Sequence, residues 1–285
     1  MKNLLKILDF IGAEFSLNKL PKKVLWGVAP TGDPHLGYIP YIKLLKYFKS
    51  KGSEIILLIA NYHGYLDSEK TKWNEIEEKT QYYKALFSKF GFTLDELIET
   101  KDIYTKPDYI QRLFQFSRYL PSKSLTEFAE RTLKSFYTKD YRFSDLIYVA
   151  LQIYDVVYFD LDLVLCGIDE AGIYKLGLPI IKENLNKKVD FIYLPMVPGV
   201  LKEEMHASDP QDNKILLKDI INEDKNILIK DILKKIRSND SLQKSIKEYI
   251  LPVLLLISGK IKLESLEELV NELIYHMKKE ISYNE

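Results

Sequence analysis

Four short segments of the chain are apolar almost throughout, and they lie at residues 23–28, 53–60, 161–167 and 189–195. Short apolar runs bounded by turn residues are typical of strands that are covered on both faces, as the strands of parallel sheets are. A Pro/Gly turn and an amphipathic helical pattern separate the first two segments, which is the arrangement of a βαβ unit. The sequence therefore predicts the α/β fold class with a doubly wound parallel sheet.

The rest of the chain repeats its apolar positions mostly at helical spacing. Between the second and third predicted strands, this spacing predicts helices at about 68–91, 107–119, 122–137 and 144–159. We interpret the region of about 68–159 as a helical insertion in the sheet fold. Further helices are predicted near 226–237, 240–257 and 263–280. We therefore expect a sheet domain over 1–220 and a short helical C-terminal domain over 221–285.

Composition narrows the class of protein without identifying a partner. The chain has 41 basic and 41 acidic residues, so its net charge gives no bulk attraction to nucleic acid, although a local basic patch would still bind a polyanion. Cys166 is the single cysteine, which rules out an intrachain disulfide and fits a reducing compartment. The apolar run at 250–257 is too short to cross a membrane, and residues 1–15 fit an amphipathic helix better than a signal peptide. We expect a soluble cytoplasmic protein without a membrane partner.

Two polar segments follow the first two predicted strands. His35 comes four residues after Thr31, at the start of the first long helix, where exposed N–H groups and the helix dipole favour an anion such as phosphate. Asn61 and His63 leave the second strand at the same edge of the sheet, the edge at which α/β proteins bind ligands. The alternative is that the segment PTGDPHLG is only a capped turn.

The predicted helix over 144–159 is apolar nearly all round, which is typical of a buried helix. Tyr148, Gln152 and Asp155 are spaced by four and three residues, so their polar ends point to one side. An unpartnered buried carboxylate costs several kcal/mol in order of magnitude, so Asp155 needs an internal partner or a wet cavity. These residues form either a satisfied structural network or the wall of a pocket that binds a polar ligand.

An ordered set of motifs adds to this pattern. The segment LWGVAPTGDPHLGYIPYIKLLKYF is followed along the chain by ILLIANYHGYLD, KTQYYKALF, YVALQIYD, DLVLCGIDE and LPMVPGV. Together they resemble the class I aminoacyl-tRNA synthetases, in particular the tyrosyl branch of archaea and eukaryotes. HLGY corresponds to the first class I signature. The resemblance covers roughly residues 20–220, and the tryptophanyl enzymes are the nearest relatives of that branch.

The resemblance implies a Rossmann-like catalytic domain that joins tyrosine, or a related aromatic amino acid, to ATP with Mg²⁺ and transfers it to tRNA. It also implies a homodimer. No second ligand lies at zinc-like spacing from His206, so we expect no metal-ligating residues. The ATP-binding residues implied by position are Gly27, Thr31, Gly32, His35, Gly37, Met205 and Ser208. Tyr148 and Gln152 would hold the substrate's amino group, and Asp155 would accept its phenol hydroxyl. Ala60 and His63 would line the pocket beside them.

The sequence departs from the family pattern at several of these positions. Leu25 stands where the family has a tyrosine, and Glu170 and Ala171 replace a glutamine and an arginine. Glu170 is still expected to bind the substrate's ammonium group.

In the loop LKEEMHASDPQDNKI, Glu204 takes the place of the lysine in the signature Lys-Met-Ser-x-Ser, while Met205 and Ser208 are retained. The implied catalytic residues are then Thr31 and His35, with Lys202 or Lys214 in the role of the missing lysine. A carboxylate at position 204 is expected to repel pyrophosphate. We interpret His206 as a solvent-exposed loop residue.

Three functional hypotheses fit these observations. The first is a tyrosine–tRNA ligase with a divergent signature loop. The second is a synthetase paralogue that no longer charges tRNA and acts as a regulator that binds amino acid, nucleotide or tRNA, or in a different ligation chemistry. The third is an unrelated nucleotide-binding or structural protein, in which Tyr148, Gln152 and Asp155 would not share a cavity with His35.

Overall fold

The computed structural model describes residues 1–67, 72–132, 142–222, 224–237, 239–255 and 266–282. Within these residues one sheet has six strands, in the order β1-β6-β5-β2-β3-β4. The strands are β1 (Glu14–Phe15), β2 (Lys23–Val28), β3 (Glu54–Ile59), β4 (Leu97–Glu99), β5 (Leu163–Gly167) and β6 (Asp190–Leu194). All neighbours are parallel except β1, which runs antiparallel to β6. The predicted α/β fold with a mostly parallel sheet and its four central strands is confirmed.

Helices cover both faces of the sheet. They are α1 (Lys2–Phe10), α2 (Ile39–Ser50), α3 (Asn61–Leu66), α4 (Trp73–Lys89), α5 (Thr100–Tyr104), α6 (Pro107–Ser117), α7 (Ser122–Thr132), α8 (Phe143–Tyr158), α9 (Ala171–Leu185), α10 (Leu217–Asn222), α11 (Lys225–Ile236), α12 (Asp240–Ser245), α13 (Leu251–Leu255) and α14 (Leu266–Ser282). A π-helical turn, Ile246–Ile250, joins α12 to α13. The predicted helices are present, except that their parts at 68–71, 133–137, 256–257 and 263–265 lie outside the described residues.

The interpretation of 68–159 as a purely helical insertion is wrong. β4 lies inside this region and pairs in parallel with β3, with Leu57 opposite Leu97 and Ile59 opposite Glu99. The sheet therefore continues through the predicted insertion and ends there. Three residues are too few to give a strand periodicity, so the apolar pattern of this segment could not be separated from that of the neighbouring helices.

The alternating directions of successive side chains along the strands explain why both faces of the sheet are covered. Val24, Trp26 and Val28 of β2 are buried in a cluster on the α2 face, whereas Leu25 is buried in the cluster on the α8 face. Successive side chains of a strand point to opposite faces, so a continuous apolar run needs helices on both sides. The carboxyl ends of the parallel strands β2, β3 and β5 consequently meet at one edge, between α2 and α8.

The C-terminal helices belong to the α2-side cluster. Leu228 and Ile232 of α11 are buried in the same cluster as Leu44 and Phe48 of α2. α13 contacts α2, and α14 contacts α10 and α11. The division of the chain into domains at residues 220 and 221 stays a prediction. None of the described helices is both long and apolar enough to cross a bilayer.

Candidate nucleotide and amino-acid site

A cavity of about 240 Å³ lies at the carboxyl edge of the sheet. Its walls come from segments that are distant in sequence, among them the turn after β2, Tyr148 of α8, the residues after β5 and β6, and the loop at 201–213. Its lining residues include Gly27, Thr31, His35, Gly37, Asp67, Tyr148, Asp169, Glu170, Met205, His206, Ala207 and Ser208. The fold therefore brings the two segments that resemble class I signatures to the same cavity, which we name the nucleotide cavity.

His35 closes the turn at the start of the helix. Its Nδ1 accepts a hydrogen bond from the N–H of Gly37 at 3.2 Å. Burial, and next the nearby charge of Lys214 and of His206, lowers the pKa of His35 to about 3. The imidazole is therefore neutral at physiological pH, and because Nδ1 is an acceptor, the proton lies on Nε2. His35 can thus donate one hydrogen bond without carrying charge.

The loop at 201–213 is held against this turn by several contacts. A Cβ atom added to Gly32 would lie only 1.7 Å from the carbonyl oxygen of Ala207, so the close approach of the loop requires glycine there. Lys214 is buried and its Nζ donates to the same carbonyl oxygen at 2.6 Å. Asn213 Oδ1 accepts from the N–H groups of Leu201 and Lys202, which fixes the start of the loop.

Neither lysine that was predicted to replace the signature lysine lines the cavity. Lys202 Nζ lies 2.8 Å from Asp209 Oδ1, and Lys214 Nζ donates a hydrogen bond to the carbonyl oxygen of Ala207. Their catalytic role stays a prediction that these contacts do not favour.

Glu204 is also absent from the lining residues of the cavity. Its Oε2 lies 3.1 Å from His206 Nε2. The carboxylate at position 204 is therefore engaged with a histidine. His206 lines the cavity while 44% of its side chain is exposed, so the ring borders both the cavity and solvent.

A second, smaller cavity of about 40 Å³ adjoins the first and shares Gly27, Tyr148 and Glu170 with it. We name it the side-chain pocket. All the residues predicted to bind the amino acid line it: Leu25, Ala60, His63, Tyr148, Gln152, Asp155 and Glu170. Because the two cavities share lining residues, Tyr148 contacts the same space as His35. Of the three α8 residues considered in the third hypothesis, Tyr148 shares a cavity with His35, whereas Gln152 and Asp155 line the adjoining pocket.

Asp155 is buried at the base of the pocket and accepts two hydrogen bonds. Tyr104 Oη donates to Oδ2 at 2.6 Å, and Tyr109 Oη donates to Oδ1 at 2.9 Å. Burial raises the pKa of Asp155 to about 7, although the two tyrosine hydroxyls act in the opposite direction. Sequence analysis missed both tyrosines, because they come from α5 and α6 and no spacing links them to α8.

Two buried polar atoms of the pocket have no hydrogen-bond partner among the described residues. They are His63 Nε2 and Gln152 Oε1. Burial lowers the pKa of His63 to about 4, so its ring is neutral at physiological pH. The other end of the Gln152 amide donates to Glu170 Oε1 and Tyr174 Oη, each at 3.2 Å. Buried polar atoms are rarely left unpaired, so these two are candidate contacts for a bound ligand.

Glu170 and Asp169 follow β5 and face the cavities as a pair of acids. Burial, and next the neighbouring Asp169, raises the pKa of Glu170 to about 8. Burial also raises the pKa of Asp169. Acids whose pKa is raised mainly by burial are expected to ionise when a cation such as an ammonium group binds beside them.

Glu170→Gln is expected to stabilise the ligand-free protein at about pH 8 by on the order of 2 kcal/mol, and to change its stability at about pH 5 little. The folded protein binds more protons than the unfolded chain between the ordinary pKa of 4.5 and the raised value of about 8, so the free energy of unfolding falls as pH rises through this window. Urea denaturation of both proteins at the two pH values measures the effect. An equal change in stability at both pH values would contradict the assignment.

Within the described residues, no group of three His, Cys, Asp or Glu side chains is placed to hold a metal ion. Mg²⁺ in phosphate-transfer sites commonly binds through one or two carboxylates together with substrate phosphates and water. Asp67 and Asp169 both line the nucleotide cavity. Carboxylates are therefore available in the lining of this cavity, as the chemistry of such an ion requires.

Comparisons with known proteins agree with this architecture. Residues 17–280 match the family described as tRNA synthetases class I (W and Y). The chain is 30% identical to the cytoplasmic tyrosine–tRNA ligase of Danio rerio over 82% of this chain and 44% of that protein. It is also 30% identical to the Saccharomyces cerevisiae enzyme over 76% of this chain and 57% of that protein. The chain thus spans about half the length of these relatives.

The fold is also similar to that of a solved structure. The tyrosyl-tRNA synthetase of Archaeoglobus fulgidus, complexed with L-tyrosine, matches with a TM-score of 0.70 and 20% sequence identity. The match covers 98% of this chain and 93% of that one. At this identity the likeness supports the fold.

Proposed function

Because the chain belongs to the class I tRNA synthetases of the tryptophanyl and tyrosyl type, we propose that it activates tyrosine, or a related aromatic amino acid, with ATP and transfers it to tRNA. In the first step the amino acid's carboxylate attacks the α-phosphorus of ATP. A new P–O bond forms, the bond to the bridging oxygen breaks, and pyrophosphate leaves. In the second step a ribose hydroxyl of the tRNA attacks the acyl carbon and AMP leaves.

The observation that carries this proposal is the contact between the two cavities. The side-chain pocket has Asp155 at its base, and Tyr148 and Glu170 line both this pocket and the nucleotide cavity. An aromatic amino acid bound with its hydroxyl at Asp155 and its ammonium group at Glu170 would direct its carboxylate toward the phosphates. Such positioning contributes much of the rate enhancement in reactions of this kind, because the reacting groups are already aligned.

The turn after β2 is proposed to bind ATP. Gly27, Gly37, Thr31 and His35 line the cavity, and Met205 and Ser208 line it from the loop. Gly32, which was also predicted to bind ATP, does not line the cavity and instead lies against the carbonyl of Ala207. The Nε2–H of His35 is a neutral donor suited to an oxygen that gains charge as pyrophosphate leaves. Mg²⁺ bound with ATP neutralises phosphate charge, and we propose Asp169 and Asp67 as its protein contacts.

Asp155 is proposed to select the hydroxyl group of the substrate. Each carboxylate oxygen has two lone pairs and receives one tyrosine hydroxyl, so each retains a position for one further donor. Leu25 supplies no second polar contact where the family has a tyrosine. His63 Nε2 has no hydrogen-bond partner among the described residues, and His63 is proposed to line the ring-binding space with Ala60.

A synthetase-like protein that no longer charges tRNA is the second candidate. The altered positions support it: Glu204 stands in place of the signature lysine, Ala171 in place of an arginine, and no lysine or arginine is among the described residues lining the nucleotide cavity. Such a protein would bind the amino acid or nucleotide as a regulator or perform a different ligation.

We also propose a dimer interface, a division into two domains and a cellular location. Phe114 and Ile110 lie one turn apart on α6 and are exposed, as is Phe143 at the start of α8, which supports a homodimer interface on this side of the molecule. We propose a catalytic domain over 1–220 and a helical C-terminal domain over 221–285. A location in the cytoplasm is proposed because the Danio rerio and yeast relatives are named cytoplasmic.

Aminoacylation distinguishes the two candidates. The purified chain, incubated with ATP, Mg²⁺, labelled tyrosine and a tRNA-Tyr transcript, is expected to form tyrosyl-tRNA. Formation of the adenylate without transfer to any tRNA would support the second candidate and contradict the proposed transfer step. A tRNA transcript lacking its 3′-terminal adenosine serves as the control for non-enzymatic labelling.

A further inference from the structure

We propose that His206 is the residue through which the loop at 201–213 contacts the phosphates of ATP, and that Glu204 positions its imidazole. This inference rests on the proposed function, since it concerns the same nucleotide cavity. It gives a binding role to a histidine that the family pattern does not provide, and it makes Glu204 a partner of that histidine.

Acidic side chains outnumber basic ones in the lining of the nucleotide cavity. None of the described residues that line the nucleotide cavity is a lysine or an arginine, whereas Asp67, Asp169 and Glu170 are acids. A polyphosphate needs a cationic or strongly donating partner against such a wall. Of the two histidines that line it, His35 is kept neutral by burial, which lowers its pKa to about 3. His206 is the remaining side chain able to bring a positive charge to the cavity.

The position of His206 is defined by its neighbours in the loop. Met205 is buried and its N–H donates to the carbonyl of Val197 at 2.9 Å. On the other side, the carbonyl of Ala207 is held by Lys214. The N–H of His206 itself donates to Asp209 Oδ2 at 2.9 Å. Hydrogen bonds therefore hold the backbone on both sides of His206, which lines the cavity.

Glu204 fixes the orientation of the ring. Its Oε2 lies 3.1 Å from His206 Nε2, which leaves Nδ1 as the nitrogen for a second contact. With Nε2–H donating to the carboxylate, Nδ1 carries a proton only in the cationic form of the ring. Contact of Nδ1 with a phosphate oxygen therefore requires the imidazolium.

The titratable and charged groups that face this imidazole come from each segment packed around it. They are Glu204 and Asp209 in the loop, Asp169 after β5 and His35 in the turn. The three acids favour a positive charge at this place, whereas His35 is neutral and does not oppose it. The lysines near the loop are engaged elsewhere, Lys202 with Asp209 and Lys214 with a backbone carbonyl.

Calorimetric titration of the full chain with ATP and with adenosine tests the inference. His206→Gln is expected to weaken Mg²⁺-ATP binding by about 10-fold and leave adenosine binding unchanged, the size expected for one charge-assisted hydrogen bond. Glu204→Gln should weaken ATP binding, whereas the same change at its exposed neighbour, Glu203→Gln, should not.

The outcomes separate this inference from the proposed function. If His206→Gln binds ATP as tightly as the unaltered chain, or loses ATP and adenosine binding equally, the inference is overturned while amino-acid activation can still stand. If ATP binding depends on His206 and no aromatic amino acid supports pyrophosphate exchange, the inference is supported and the proposed reaction fails. Circular dichroism of each variant confirms that a loss of binding is not a loss of folding.

Discussion

Replacing Asp155 with alanine should lower the kcat/KM for tyrosine in ATP-pyrophosphate exchange by about 10³-fold or more. The carboxylate is the buried acceptor at the base of the side-chain pocket, and it also partners the hydroxyls of Tyr104 and Tyr109. Its removal takes away the contact proposed for the substrate hydroxyl and the shared acceptor of two buried tyrosine hydroxyls, and a buried donor left unpaired costs about 1–3 kcal/mol. The exchange rate is measured as a function of tyrosine concentration.

Asp155→Asn is the matched control because it keeps the volume of the side chain. It should bind tyrosine less well and reduce the preference for tyrosine over phenylalanine, since an amide is a weaker acceptor than a carboxylate. Tyr109→Phe should have a smaller effect, of about 10-fold, because Tyr104 still holds the other carboxylate oxygen. An unchanged ratio of tyrosine to phenylalanine use in Asp155→Asn would contradict the role given to this carboxylate.

Glu204→Lys should raise the rate of exchange by about 10²–10³-fold. This substitution restores a lysine at the position where the family signature has one, at the mouth of a cavity whose described lining residues include no lysine or arginine. It separates His206 from its carboxylate partner, but the new ammonium group supplies a cation that needs no protonation of the histidine. The expected gain is in kcat, because the family's lysine stabilises charge on the leaving pyrophosphate.

Glu203→Lys is the control for this gain, since it makes the same change in charge at the neighbouring exposed residue, which is not the signature position. It should leave the exchange rate within about twofold of the starting value, because a change in charge outside the signature position is screened by salt. Equal gains from the two substitutions would attribute the effect to overall charge and would contradict a specific role for position 204.

Features that depend on residues close together in the sequence, such as strands and the face of a helix, were predictable from the sequence. The central strands follow from apolar runs, and the spacing of Tyr148, Gln152 and Asp155 on α8 placed their side chains on one side, where the structure has them lining a single pocket. Gly32 was assigned through the family resemblance, and its structural reason is the carbonyl of Ala207, which lies too close for any Cβ atom.

Contacts between distant segments were not predictable in this way. Tyr104 and Tyr109 reach Asp155 only because α5 and α6 pack against α8, and β4 is visible only through its pairing with β3. The direction of the Glu204 side chain depends on the shape of the loop, which the side chain of Asn213 fixes through the backbone. Its pairing with His206 therefore could not be inferred from residue order.

Pyrophosphate exchange with each aromatic amino acid is the most direct test of the central claim that this chain activates an aromatic amino acid. The purified chain is incubated with ATP, Mg²⁺ and labelled pyrophosphate, with tyrosine, phenylalanine or tryptophan added separately. We expect more label to enter ATP than in the absence of amino acid, most strongly with tyrosine. We expect this incorporation to be lost in Asp155→Ala. Folded protein that gives no exchange above that level with any of the three amino acids would contradict the account.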